Sequence, residues 1–270
     1  MRVSLADVGR RGRLELSFAL QDGRTVLRDS YCEVPFKITR VLDRDSSVVD
    51  LILMQCTAGL FGGDDVACSI RVERGARVRI TQQSATKVHP SQDRTAIQRT
   101  HVIVEEGAEL RLYLEPLIPF ADSHLKQSTL LDVASGGRLW FWEGFMTGRV
   151  GSGESWQFRE LQSETRLCSN ERLIYLDRFR LCPAERGQSR WAMGPDTYTG
   201  IGLYVGKEAR CVASELRQSM PNAGVDALGE NVAIARVVCG SGPEFQRAVA
   251  GFCSHAAKGQ PRVEADSRNA

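Results

Sequence analysis

Three nine-residue stretches of this chain can be laid over one another, and that self-similarity restricts the fold more than any other feature. They are Val72-Glu73-Arg74-Gly75-Ala76-Arg77-Val78-Arg79-Ile80, Val104-Glu105-Glu106-Gly107-Ala108-Glu109-Leu110-Arg111-Leu112 and Val133-Ala134-Ser135-Gly136-Gly137-Arg138-Leu139-Trp140-Phe141. Each reads as the end of one strand, a glycine turn and the start of an alternating strand. A glycine with apolar residues three and five positions on returns at Gly153, Trp156 and Phe158. Gly75, Gly107 and Gly136 lie about thirty residues apart, within the range where repetition marks stacked supersecondary units. Such a unit has one apolar face that it cannot bury alone, so neighbours stack and enclose a continuous core between two sheets. The pattern predicts a mainly β, layered, β-helix-like (solenoid) body of stacked hairpins. An antiparallel sandwich of similar hairpins is the alternative that pattern leaves open.

The flanking residues supply the element order. Leu14, Leu16 and Phe18 alternate as a half-buried strand, and Gln21-Asp22-Gly23 turns into a second strand carrying Thr25 and Val26. An apolar run at 48–54 reads as a buried strand. The segment 81–91 lacks a period, and Glu115-Pro116-Leu117-Ile118-Pro119-Phe120 is punctuated by prolines that a central strand excludes, so both read as ordered non-strand insertions. Strands return over 159–181 and 232–238, with a loop at 191–199 between them. Helices are expected at 208–219, with Pro221 just past its end, and at 244–255, where Phe245, Ala248, Val249 and Phe252 share a face. That second helix is expected to cap the open end of the solenoid, as terminal units require. No linker divides the chain, so 1–270 is expected to be a single domain: a β-rich body at 14–190, a mixed C-terminal part at 191–257, and flexible ends at 1–12 and 258–270.

Charge narrows the function. Thirty-five basic against thirty-three acidic residues leave a formal net charge of +2, which makes no electrostatic case for nucleic acid or an anionic membrane. No apolar run is long enough to span a bilayer and the first dozen residues lack a signal-peptide core, so a soluble cytoplasmic protein is expected. The eight cysteines and four histidines are scattered without a C-x-x-C or C-x-H pair. They read as small buried hydrophobes and isolated imidazoles rather than a disulfide framework or a closed metal site.

Candidate chemistry centres on Gln55-Cys56-Thr57-Ala58-Gly59-Leu60-Phe61-Gly62-Gly63-Asp64-Asp65, where glycines and carboxylates arrive at a strand end. Glycine allows close backbone approach and brings Asp64 or Asp65 near a ligand, or simply turns the chain. The spacing fits neither phosphate-binding glycine motif. There is no G-x-S-x-G elbow, H-E-x-x-H or Walker lysine. Asp64, Asp65, Glu143, Glu171 and Asp177 leave a carboxylate-based hydrolase open. Trp140, Trp142 and Trp156 leave open a carbohydrate-binding β-solenoid with exposed aromatics. Arg71, Arg74, Arg77 and Arg79 read as a solvated strand face.

Five patches in order resemble the urease accessory protein UreD (UreH) family. They are Ala58-Gly59-Leu60-Phe61-Gly62-Gly63-Asp64; Thr81-Gln82-Gln83-Ser84-Ala85-Thr86-Lys87-Val88-His89; Glu115-Pro116-Leu117-Ile118-Pro119-Phe120; Trp142-Glu143 through Gly148-Arg149 to Gly153-Glu154; and Glu171-Arg172-Leu173-Ile174-Tyr175-Leu176-Asp177. The chain departs from the family at Ala58, where glycine is usual, at Gln82 for threonine and at His89 for tyrosine. Ser30-Tyr31-Cys32 replaces a Gly-Pro-Leu step. The resemblance implies a β-helical protein with a few helices that is not an enzyme. It implies a scaffold that joins UreF and, through it, the GTPase UreG, and docks on the urease apoprotein so that nickel enters the active site. No cofactor is expected to stay bound; nickel(II) passes transiently. Inside the matched patches, Asp64, Ser84, Lys87, Glu143 and Glu171 are the residues expected to line or shape that passage. Alanine at Asp64 or Glu143 is expected to leave folding intact and lower nickel insertion.

Overall fold

Corner glycines set the architecture. Gly75, Gly107 and Gly136 have φ of 74°, 71° and 80°, a left-handed conformation that costs a residue with a Cβ about 1–2 kcal/mol. In the computed structural model, which describes residues 9–39, 48–91, 93–185 and 194–258, each of these glycines turns the chain from one sheet into another. The strands entering the turns are β5 (Asp65–Val72), β8 (Ala96–Val104) and β11 (His124–Val133), and those leaving are β6 (Arg77–Gln82), β9 (Glu109–Tyr113) and β12 (Arg138–Met146). Equivalent strands pair in parallel and in register, with Val72 opposite Val104 and Val104 opposite Val133. The turns are bonded coil to coil: Glu105 N–H donates to Val72 O at 3.0 Å and Ala134 N–H to Val104 O at 2.8 Å. The body is a β-solenoid of about four turns.

The remaining strands extend the two sheets. They are β1 (Arg11–Gln21), β2 (Arg24–Cys32), β3 (Phe36–Ile38), β4 (Val49–Gln55), β7 (Thr86–Val88), β10 (Leu117–Pro119), β13 (Glu160–Ser169), β14 (Arg172–Leu181), β15 (Tyr198–Val205), β16 (Gly224–Leu228) and β17 (Val232–Cys239). One sheet runs β14-β13-β11-β8-β5-β1-β2 and the other β16-β17-β15-β12-β9-β6-β4-β3. Between them the inward residues Leu14, Ile70, Val102, Leu110, Leu112, Leu139 and Phe141 are each no more than 1% exposed. A second apolar layer covers the outer side of β12, β15 and β17. There α1 (Ala209–Ser219) and α2 (Gly242–Lys258) bury Trp140, Trp142 and Tyr204 with Leu216, Phe245 and Phe252.

Several expectations need correction. Strand β1 begins at Arg11 rather than near Leu14, because Arg11 and Gly12 pair with Asp65 and Val66. The segments 81–91 and 115–120 are not strand-free: β7 and β10 pair in parallel at the corner opposite the glycines, with Pro119 as the terminal residue where its missing N–H costs little. Gly153 does not make a fourth glycine corner; it ends a short 3-10 helix, Val150–Ser152. Strand β15 starts inside the expected 191–199 loop, of which 191–193 lie outside the described residues, as do 1–8 and 259–270 of the two ends expected to be flexible. Helix α2 covers a sheet face rather than an end, since Phe252 packs on Trp140 and Trp142 of β12. Of the eight cysteines, all free, only Cys68 and Cys182 are buried. Among the described residues no helix is long and apolar enough to cross a membrane.

Candidate functional site

Strand pleat decides what faces the interior. On β12, Leu139, Phe141 and Phe145 point into the core, and the same parity sends Glu143 inward with them. The other sheet supplies its partners. Cys68, Thr100, Thr129, Thr165 and Asp177 lie directly opposite one another across β5, β8, β11, β13 and β14. The adjacent inward row holds Gln98, Gln127 and Ser163. Two polar rows thus cross the solenoid interior and meet Glu143, while on the facing sheet Gln82 donates to Thr86 and Thr86 to Gln55.

The Glu143 carboxylate is 7% exposed. Its Oε2 accepts from Gln127 Nε2 at 2.9 Å and from Thr129 Oγ1 at 3.4 Å, and its Oε1 accepts from Thr165 Oγ1. Burial pushes its pKa up to about 7, and repulsion by Asp177 pushes in the same direction, against the hydrogen bonds from Thr165 and Thr129. Gln98 Oε1 and Gln127 Oε1 are buried with no hydrogen-bond partner among the described residues. Glu143 faces a cavity of about 210 Å³ shared with Gln127, Thr165, Asp177, Phe179 and Arg236. On its solvent side Arg236 of β17 pairs with Asp177 at 3.1 Å and donates to Tyr175 Oη at 2.6 Å.

The glycine loop after β4 is organised otherwise. Asp64 is 3% exposed and both of its oxygens are occupied. Oδ1 accepts from Arg10 N–H at 2.9 Å; Oδ2 accepts from the Arg10 guanidinium at 3.0 Å and from Phe61 N–H at 2.9 Å. Gly59, at φ 137°, lets the loop close on the next coil, since a Cβ there would stand 2.3 Å from Lys87 O. Asp64 therefore fastens the N-terminal segment to the loop. Lys87 is exposed on the neighbouring coil, Ser84 is exposed before β7, and Glu171 is exposed in the β13–β14 turn at φ 63°.

The five expected residues do not converge. Glu143 faces the core between the sheets; Asp64 is buried in the corner loop beside exposed Lys87; Ser84 and Glu171 occupy separate exposed turns. Asp65 pairs with Arg99, and Arg71, Arg74 and Arg79 are exposed and pair with Glu105, Glu106 and Asp50, but Arg71 and Arg79 belong to different sheets and Arg77 is half-buried, so the four arginines do not form one strand face. Sequence reasoning missed Gln127, Thr129, Thr165 and Arg236. A signal for the first two existed: within His124–Val133 they share the inward parity of Leu125, Leu131 and Val133. The row of exposed aromatics that a carbohydrate-binding face needs is not formed, since Trp140 and Trp142 are 4% and 0% exposed. Among the described residues no group of three or more His, Cys, Asp and Glu is placed to hold a metal ion.

Comparison with known proteins identifies the family. Residues 10–266 match the model of the UreD urease accessory protein family. A urease accessory protein UreD of Deinococcus radiodurans is 29% identical over 249 residues, covering 91% of this chain and 90% of the relative. One from Acetivibrio thermocellus is 34% identical over 65% of this chain and 67% of its own length. A urease accessory protein UreH of Helicobacter pylori is 30% identical over 66% of this chain and 67% of its own length. The chain belongs to the UreD family of urease accessory proteins, whose part in urease maturation is accessory rather than catalytic.

Proposed function

We propose that the chain is a cytoplasmic scaffold that binds UreF and, through it, the GTPase UreG, docks on the urease apoprotein, and gives nickel(II) a protected route toward the urease active site. The observation that carries this reading is Glu143: a carboxylate inside the solenoid, bonded to members of two polar rows and facing a cavity. An ion in transit needs oxygen or nitrogen ligands that release it, rather than a closed high-affinity cage. Glu143 suits that demand, because at a pKa of about 7 it must lose its proton before it can hold a cation. The hydroxyls of Thr129 and Thr165 and the Gln127 amide oxygen supply further weak oxygen donors. Asp64 acts as a fixed point that holds the corner, Lys87 as a charge that opposes trapping there, and Ser84 and Glu171 as polar groups on the outer turns.

The test is co-expression of urease and its other maturation proteins with and without this chain, followed by nickel content and activity of the purified urease. Nickel loading should fall to background without the chain and stay low with Glu143→Ala. Normal loading in its absence would defeat the reading; normal loading with Glu143→Ala would remove this residue from the route.

A further inference from the structure

The corner opposite the glycine turns carries a ring stack that the interior route does not use. Phe61 and His89 lie 4.2 Å apart and 3° from parallel, His89 meets Phe120 edge-on at 4.9 Å, and the Arg149 guanidinium sits 4.3 Å over the Phe120 ring. Backbone bonds fix the stack: His89 N–H donates to Leu60 O at 2.7 Å and Phe120 N–H to Val88 O at 2.9 Å. Beside it opens a recess of about 490 Å³ with Ile118, Phe120, Met146 and Val150 on its apolar side and Lys87 and Arg149 on its polar side. Among the described residues no carboxylate lines it. Arg149 is braced by Glu154, so it offers a flat, partly neutralised guanidinium, whereas Lys87 is exposed and makes no ion pair among the described residues. Phe61, 40% exposed, extends the apolar surface.

We propose that this recess docks a segment of a protein partner in urease maturation, one that presents an apolar side chain flanked by carboxylates. The apolar floor takes the side chain, while Lys87 and the guanidinium receive the acids. One unpaired cation beside an apolar floor is poor recognition for a polyanion, which excludes nucleic acid as the fitting occupant. The inference rests on the proposed scaffold role, because it is that role which requires partner surfaces.

The full chain is co-expressed with urease apoprotein and the other accessory proteins, and the complex is isolated and quantified by size-exclusion chromatography. Lys87→Glu and Val150→Glu should each weaken assembly by tenfold or more, Lys87→Arg should retain it, and Arg172→Glu, an exposed charge reversal on β14, should leave it unchanged. Circular dichroism and melting of each variant separate misfolding from lost docking. Zero-length carbodiimide coupling of the wild-type complex should join Lys87 Nζ to an Asp or Glu of a partner chain. Folded Lys87→Glu and Val150→Glu variants that assemble like wild type, or Lys87 coupled only within its own chain, would overturn the docking site and leave the scaffold role standing. A wild-type chain that assembles with none of these proteins would overturn both. Glu143→Ala, by contrast, should assemble normally and fail only in nickel loading.

Discussion

Asp177 on β14 and Arg236 on β17 stand 3.1 Å apart and tie the two sheets together on the solvent side of the cavity that holds Glu143. The pair is half in water, with side-chain exposures of 20% and 54%, so its contribution to stability is small. Its electrostatic effect on the interior is the larger consequence, because Asp177 helps keep Glu143 from ionising.

Removing the pair should therefore separate two readouts. Arg236→Ala should lower unfolding free energy by about 0.5–1 kcal/mol, and a double-mutant cycle with Asp177→Ala should recover most of that as coupling. Asp177→Asn should move the Glu143 titration downward, followed by carboxyl-carbon NMR. An unmoved Glu143 would mean that Asp177 has no part in setting its value.

Glu143 also makes stability depend on pH, with a sign opposite to that of a salt-bridged acid. Its folded pKa of about 7 lies above the ordinary 4.5, so between these values the folded chain holds a proton that the unfolded chain has lost. Stability from this group therefore falls as pH rises from 4.5 to about 7 and is flat above. Glu143→Gln should stabilise the chain by about 1–3 kcal/mol at pH 8 and hardly at all at pH 4, in denaturant titrations at both pH values. A pH-independent gain would contradict the assignment.

The fold was legible where glycine and alternation coincide, and obscure where packing overrules composition. Gly75, Gly107 and Gly136 declared the corners in sequence because only glycine takes their φ at little cost. The same signature at Gly153 misled, since a positive φ marks any tight turn and not a particular corner. Strand β15 was hidden: Gly200 and Gly202 weaken strand propensity, and their role is visible only once aromatic rings from β12 and α2 are seen against them. Glu143 was found through the family patch, but its partners lie about fifteen to twenty residues away on other strands, and register alone brings them together.

Asp64 is expected to be structural, against the sequence reading that its loss leaves folding intact. Asp64→Ala would strip partners from Arg10 N–H, Phe61 N–H and the Arg10 guanidinium at once. Urea unfolding should show a loss of about 2–4 kcal/mol, with Arg10→Ala costing less because its backbone N–H still reaches the carboxylate. Equal losses in the two variants would show that the ion pair, and not the backbone bonds, is what matters.

The helical layer depends on a notch in β15. A methyl at Gly202 would stand 2.5 Å from the Phe252 ring, whose residue is fully buried and packs on Trp140 and Trp142. A ring enclosed on that many sides cannot retreat, so Gly202→Ala should cost about 1–3 kcal/mol through overpacking. Phe252→Ala should cost about 3–5 kcal/mol through the cavity it leaves. Combined, the two should be markedly less than additive, because the new methyl occupies part of the space that the ring vacates. Additive losses in denaturant unfolding would mean that the backbone of β15 shifts to absorb the methyl, and that α2 is held by its other contacts rather than by this one.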